Sequence, residues 1–411
     1  MKWVLAVAGV LLAVLGMDGS VAADLPGLTI SDGFGVNIHF RGDPVDLDMI
    51  AEAGFKFIRM DLGWEGVERE KGVYDFERTG YDALTAGCVR RGIRILYIID
   101  YSNRLYESER SVRTAEGRRA YAAFAQAAAS RYAGKGILWE IWNEPNIKQF
   151  WTPEPNVEDY CAMAMEAIPL IRKADPSGVV VAPATSGVPH GWIEECFKRG
   201  LLAQLDAVSV HPYRPQNPET VVADYEKLRK LIKQYSPDRR VPIISGEWGY
   251  SNVNWDRRPL SPETQAQYLA REYLTNLWQN IPVSIWYDWK NDGTDPAERE
   301  HNFGTVTHDL MPKPAYIAAC TLNTMLAGFT FDKRIETDSA DDFILQFTSD
   351  GRLALAVWTT GVDHEFTLTL PGGRSAPFDL MGQRTRIQWT EPGPKITLTQ
   401  SPQYLLIRPT R

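Results

Sequence analysis

Between residues 33 and 327 the chain alternates short apolar runs with longer segments whose apolar positions recur at helical spacing. Eight runs are of strand length: Phe34 to Ile38, Phe55 to Met60, Ile93 to Ile99, Ile137 to Trp142, Val179 to Ala182, Ala207 to Val210, Pro242 to Ser245 and Val283 to Trp286. Near-continuous apolar strands separated by helices describe a parallel sheet covered on its outer face. The intervening segments include Ser111 to Tyr132, with its alanine-rich face, and Pro218 to Tyr235. Eight such units close an α/β architecture of the (β/α)8 TIM-barrel type.

After Gly328 the period changes to two. Phe343 to Thr348, the turn Ser349-Asp350-Gly351 and Leu353 to Thr359 predict a hairpin, because Asp-Gly suits the tight turn between twisted strands. Further strands are predicted near Phe366 to Leu370, Arg386 to Trp389 and Tyr404 to Ile407. The division is therefore a barrel over 24–328 and a small, sandwich-like all-β module over 329–411, packed against it. Residues 1–23 have the layout of a secretory signal peptide. Met1 and Lys2 precede an apolar stretch from Val4 to Met17, too short for a bilayer span, with cleavage expected after Ala23. Nothing later is apolar enough to span a membrane, so the mature chain is expected to be secreted or periplasmic.

Net charge is -8 and the pI near 5.4, which argues against nucleic acid or another polyanion as partner and favours a neutral or cationic one. Cys88, Cys161, Cys196 and Cys320 are widely spaced in helical segments, with no Cys-x-x-Cys pair. Buried thiols are the expectation; one disulfide remains open.

Chemistry is expected at the strand ends. The fourth run carries straight into Asn143-Glu144-Pro145, and proline should push Glu144 into extended backbone and end the ladder there. The seventh leads to Glu247 and then a glycine. C-terminal strand tips are where such barrels bind ligands, and two carboxylates facing each other across the mouth suit glycosidic bond cleavage. Glu140, four residues before Glu144, would lie about 13 Å deeper at about 3.3 Å per residue, inside the barrel, where it needs a partner such as Arg59.

These motifs resemble clan A of the retaining glycoside hydrolases, and within it glycoside hydrolase family 39 and bacterial exopolysaccharide-cleaving endoglycosidases such as that acting on the Psl biofilm polymer. The resemblance covers the barrel and, less closely, the β module. It implies Glu144 as acid/base, Glu247 as nucleophile, Arg59 as the cation beside the nucleophile and Asn143 as the contact to the sugar 2-hydroxyl. His211-Pro212-Tyr213 resembles the clan's His-x-Tyr, implying that Tyr213 orients the nucleophile and His211 lines the subsite. It also implies an aromatic platform at the end of the eighth strand; parity lets Trp286 or Trp289 take that role, not both on one face, and Trp286 is the preferred candidate. His39, ending the first strand, is a further subsite candidate. It belongs to no His-x-His pair, so zinc-hydrolase chemistry is disfavoured.

Aromatics after strand ends, namely Trp64, Tyr101, Tyr106, Phe150, Trp151, Trp248, Tyr250 and Trp255, suggest a groove on which sugar faces could stack. The loop 291–312 carries Asp292, Asp295, Glu298 and Glu300 without EF-hand spacing, and is long enough to wall the cleft. The expected activity is endo-acting hydrolysis of a carbohydrate polymer or oligosaccharide by double displacement, without metal or organic cofactor. Transglycosylation by the same pair and a non-catalytic carbohydrate-binding barrel are the alternatives.

Overall fold

The computed structural model describes residues 24–39, 43–254, 256, 258–369, 373–390 and 393–409. The expected signal peptide, Leu370 and Trp255 lie outside them. Eight parallel strands close a barrel in sequential order: β1 (Phe34–Asn37), β2 (Phe57–Gly63), β3 (Arg94–Asp100), β4 (Leu138–Ile141), β5 (Val179–Ser186), β6 (Ala207–His211), β7 (Ile243–Trp248) and β8 (Ser284–Trp286). Phe57, Leu96, Ile98, Leu138, Val179, Val181, Ala207, Ile244, Val283 and Ile285 fill its interior, while a larger apolar layer lies between strands and outer helices. Strands buried on both sides have no polar face to alternate with, which is why they read as continuous apolar runs.

Helices begin where the sequence supplies caps. Thr114 accepts from Gly117 N at the head of Ala115–Arg131, and Ser261 accepts from Thr264 N at the head of Pro262–Trp278, which has proline in its first turn. No helix among the described residues is long and apolar enough to cross a membrane. All four cysteines are free thiols; Cys88, Cys161 and Cys196 are buried.

The remaining strands are antiparallel: β9 (Thr330–Arg334), β10 (Asp342–Ser349), β11 (Arg352–Thr359), β12 (His364–Thr367), β13 (Gly373–Phe378), β14 (Gln388–Trp389), β15 (Pro394–Leu398) and β16 (Gln403–Pro409). They form a five-stranded sheet, β13-β16-β11-β10-β9, and a three-stranded one, β12-β15-β14. The Asp350-Gly351 hairpin forms with Ser349 opposite Arg352. β9, β13 and β15 are strands the sequence reading missed. β9 is largely exposed, so it lacks the apolar alternation that marks a half-buried strand. The module docks on Pro262–Trp278: Phe343 stacks on Trp358 and meets Trp278 edge-on, with centroids 5.0 and 5.7 Å apart. Beneath them, Trp358 Nε1 donates to Glu219 (2.7 Å), which Arg271 also grips with two bonds of 2.7 Å.

Candidate active site

Ladder register decides which side chains enter the barrel. Asn37, Arg59 and Leu96 are partners across β1, β2 and β3, and Leu96 belongs to the interior, so all three face inward. Arg59 is 1% exposed and spends all five N–H groups there. Nε donates to Glu140 (2.7 Å), Nη1 to Asn37 Oδ1 (3.1 Å) and to Glu247 Oε2, and Nη2 to Asn143 Oδ1 (2.7 Å) and His211 Nε2 (3.3 Å). A guanidinium suits this position because its planar fork reaches several acceptors at once.

Strict alternation would turn Glu247 outward, since Ile244 is an interior residue. A β-bulge reverses this: from Ser245 to Trp248 β7 advances three residues while β8 advances two, from Ser284 to Trp286. The extra residue puts Gly246 and Glu247 both on the inner side. Gly246 must then lack a side chain, because a Cβ there would lie 2.3 Å from Ser209 Oγ and 2.8 Å from Glu140 Oε1. Glu247 is held at both oxygens, by Arg59 and by the Tyr213 hydroxyl, which donates at 2.8 Å.

On the other side of the mouth, β4 ends at Ile141, and Trp142 (φ 69°) and Glu144 (φ 46°) take left-handed backbone. Glu144 is therefore not extended as its place before proline predicted. Tertiary bonds override that preference: Glu144 N donates to Ala184 O (2.9 Å), and Asn146 exchanges bonds of 3.0 and 2.8 Å with the Ser186 backbone. Such backbone costs about 1–3 kcal/mol per residue and persists where the surroundings enforce it. Glu140 lies inside the barrel and is paired with Arg59, as expected, but the turn keeps it in one network with the mouth: Arg59 bonds Glu140, Asn143 and Glu247 together. Ser209 Oγ donates to the second Glu140 oxygen, completing a fully buried ion pair.

The two candidate carboxyls have opposite surroundings. Glu144 is pushed up to about 7, chiefly by burial, against the Arg59 charge and a Ser186 hydrogen bond. His211 is held down to about 4, again mainly by burial, and is neutral at pH 7. Its Nε2 faces an Arg59 N–H and must accept, so its proton sits on Nδ1 and is donated to Glu144 Oε1 (3.0 Å). One oxygen each from Glu144 and Glu247, with a ring nitrogen of His211, lie within 4.8 Å of one another.

The structure thus brings Arg59, Asn143, Glu144, His211, Tyr213 and Glu247 together. His39 lies at the mouth, with Nε2 3.0 Å from Asn37 Nδ2 and Nδ1 donating to Asp292 (2.7 Å). Trp286 is not a platform. Val36 pairs with Trp286 and Gly35 with Ile285, an interior residue, so Trp286 points outward and is 0% exposed, near Tyr250. Trp289 is also buried, donating to Asp46 (2.7 Å). The inward, half-buried ring is Tyr287, beside Tyr213 and Phe303 (centroids 6.3 and 5.1 Å away). Its signal was available, one residue on from Trp286, but needed the true register.

The groove is less aromatic than expected: Trp64, Trp151, Trp248 and Tyr250 are buried, while Tyr101, Tyr106 and Phe150 stay half-buried. Tyr101 stacks on Phe150 (5.7 Å) and accepts from Asn143 Nδ2 (3.1 Å). Phe303 and Arg299 of the 291–312 loop lie against the Tyr213–Tyr287 side, walling the cleft. Asn37 was missed because an asparagine inside a strand end carries no pattern.

Two groups among the described residues have metal-ligand spacing, Glu144/His211/Glu247 and His39/Asp288/Asp292. In the first, the bond that His211 accepts at Nε2 puts its proton on Nδ1, facing the carboxylates, which suits a hydrogen bond rather than a cation. In the second, His39 is raised to about 9, against burial, by Asp292, Asp288 and Asp61, so the ring is itself the cation among these carboxylates.

The family model "Cellulase (glycosyl hydrolase family 5)" matches residues 29–293. A β-xylosidase of Geobacillus stearothermophilus is 26% identical over 275 residues, 59% of this chain and 51% of the relative. One of Caldicellulosiruptor saccharolyticus is 25% identical over 217 residues, covering 46% and 42%. The chain thus spans about half the length of the curated relatives it matches. Among solved structures, a family 39 glycoside hydrolase of Bacteroides cellulosilyticus superposes with a TM-score of 0.81 at 25% identity, covering 94% of this chain and 82% of that one. A family 39 β-xylosidase of Caulobacter crescentus has the same fold (TM-score 0.67, 17% identity, 93% and 98% covered). The chain belongs to the cellulase family of glycosyl hydrolases, and so to clan A, where it resembles family 39.

Proposed function

We propose that the protein is a retaining β-glycosidase in which Glu144 is the acid/base and Glu247 the nucleophile. The observation that carries this reading is the approach of their carboxyl oxygens to within 4.8 Å, with a proton-holding environment on one side and an arginine on the other. Retaining enzymes hold the pair roughly 5–5.5 Å apart; inverting ones leave about 6.5–9.5 Å for a water.

In the first step Glu144 gives its proton to the glycosidic oxygen as the C1–O bond breaks, and a Glu247 oxygen forms an ester bond to C1. In the second, ionised Glu144 takes a proton from water while the water oxygen attacks C1. The ester C–O bond breaks, and Glu247 leaves as carboxylate. Arg59 and Tyr213 aim the nucleophile, and His211 N–H fixes Glu144 Oε1 so that the acidic proton belongs on Oε2. Asn143, anchored by Arg59 and Tyr101, presents an amide edge for the sugar 2-hydroxyl.

Because the curated relatives are named β-xylosidases, β-xylosides are the first substrates to assay. The Tyr101–Phe150 stack supports action on an oligomer or polymer, with an exported exopolysaccharide among the candidates and endo cleavage as the mode. Export rests on the leader-like residues 1–23. The test is Glu247→Ala with azide and an activated aryl β-glycoside. An inverted α-glycosyl azide is expected; folded protein that azide does not rescue would remove Glu247 from the nucleophile's role.

A further inference from the structure

One pair of carboxyls at the mouth takes no part in the chemistry above. Asp61 is two residues beyond Arg59 on β2, on the same inward face and one layer nearer the opening; its ladder partner Ile98 belongs to the interior. Asp100 is two residues beyond Ile98 on β3 and also faces in. Asp61 is half-buried, whereas Asp100 is fully buried.

We propose that Asp61 touches the substrate, accepting hydrogen bonds from hydroxyl groups of the glycon, and that Asp100 is a positioning residue behind it. This rests on the glycosidase reading. No N–H or O–H group among the described residues reaches either Asp100 oxygen, and the side chain it meets is the Asp61 carboxyl. A buried carboxyl without donors holds its proton: burial first, and the Asp61 charge second, raise Asp100 well above the carboxylate range. The Asp100 O–H is then a donor directed at Asp61. That leaves Asp61 an acceptor flanked by Arg59 and His39. Arg59 cannot satisfy it, because its five N–H groups are spent on Glu140, Asn37, Glu247, Asn143 and His211. Half-exposed beside the nucleophile's arginine, Asp61 matches the hydrogen-bond donors that a sugar ring carries.

The test uses the full chain, the aryl β-glycoside it turns over fastest, and that compound's 3-deoxy and 4-deoxy analogues. Asp61→Ala and Asp61→Asn are expected to lose about 10- to 100-fold in kcat/KM on the parent sugar, the range for a bond to a charged acceptor. On the deoxy analogue that already lacks the contacting hydroxyl, they should lose nothing further. Asp100→Asn, which supplies an N–H without needing a proton, should stay within about threefold of wild type, and Asp100→Leu should fall to the level of Asp61→Ala. Asp61 variants that match wild type, or lose equally on parent and deoxy sugars, would overturn the assignment alone. A wild-type chain that cleaves no glycoside would overturn the glycosidase reading and this inference with it.

Discussion

Glu144→Gln tests whether the catalytic acid is kept protonated by the fold, because its effects on stability and activity run in opposite directions. The carboxyl is raised from 4.5 to about 7 in a site where its residue is 6% exposed. A group raised on folding favours the folded state while it is protonated. Its contribution is complete below the unfolded pKa of 4.5, declines as pH rises through about 7, and is level above. The shift corresponds to about 3 kcal/mol at about 1.4 kcal/mol per pH unit. Glutamine never ionises, and its carbonyl can still accept from His211 Nδ1–H. Against wild type, the variant should gain little at pH 4.5 and up to about 3 kcal/mol at pH 8. With an unfolding entropy of about 2.1 cal/mol/K per residue, that is about 3–4 °C in the melting midpoint.

Thermal unfolding at the two pH values measures this. The companion assay is kcat/KM against pH with two leaving groups. Wild type should lose activity above about pH 7 on poor leaving groups; the variant should be nearly inactive on them and retain most of its kcat/KM on activated aryl glycosides, with kcat lowered because the second step loses its base. A midpoint difference equal at pH 4.5 and 8 would refute the buried-proton account. An equal loss on both leaving groups would refute Glu144 as the acid.

Arg59→Met leaves the buried Glu140 and Glu247 without their cation and should destabilise by about 3–5 kcal/mol in urea unfolding; adding Glu140→Gln should restore stability in part but not activity. Tyr213→Phe removes one donor to Glu247 and should lower kcat by about 10- to 100-fold with stability changed by about 1 kcal/mol or less, read from kinetics and melting together. Gly246→Ala forces a methyl against Ser209 and Glu140 and should yield little soluble protein, whereas Gly200→Ala, with nothing within 4 Å, should cost only the strain of its positive φ, as expression and melting would show.

Local pattern determined the barrel, its eight strands, the antiparallel character of the C-terminal part and the two glutamates, because each is written in consecutive residues. Apolar runs, caps and an Asp-Gly turn act over a few positions, and Asn143-Glu144-Pro145 and Glu247 stand directly after apolar runs. What only the tertiary structure decided depends on register between strands distant in sequence. Whether Trp286 or Tyr287 enters the cleft turns on which residue of β8 pairs with Gly35. Glu247 faces inward through one extra residue in β7, a bulge defined only against β8. The left-handed turn at Glu144 is held by Ala184, forty residues on. Arg59 gathers five acceptors from β1, β4, β6, β7 and the turn after β4, and no stretch of sequence contains such a network. Pairing across a barrel fixes side-chain direction by hydrogen-bond partners, so a one-residue shift that composition cannot register exchanges the inside of the barrel for its outside.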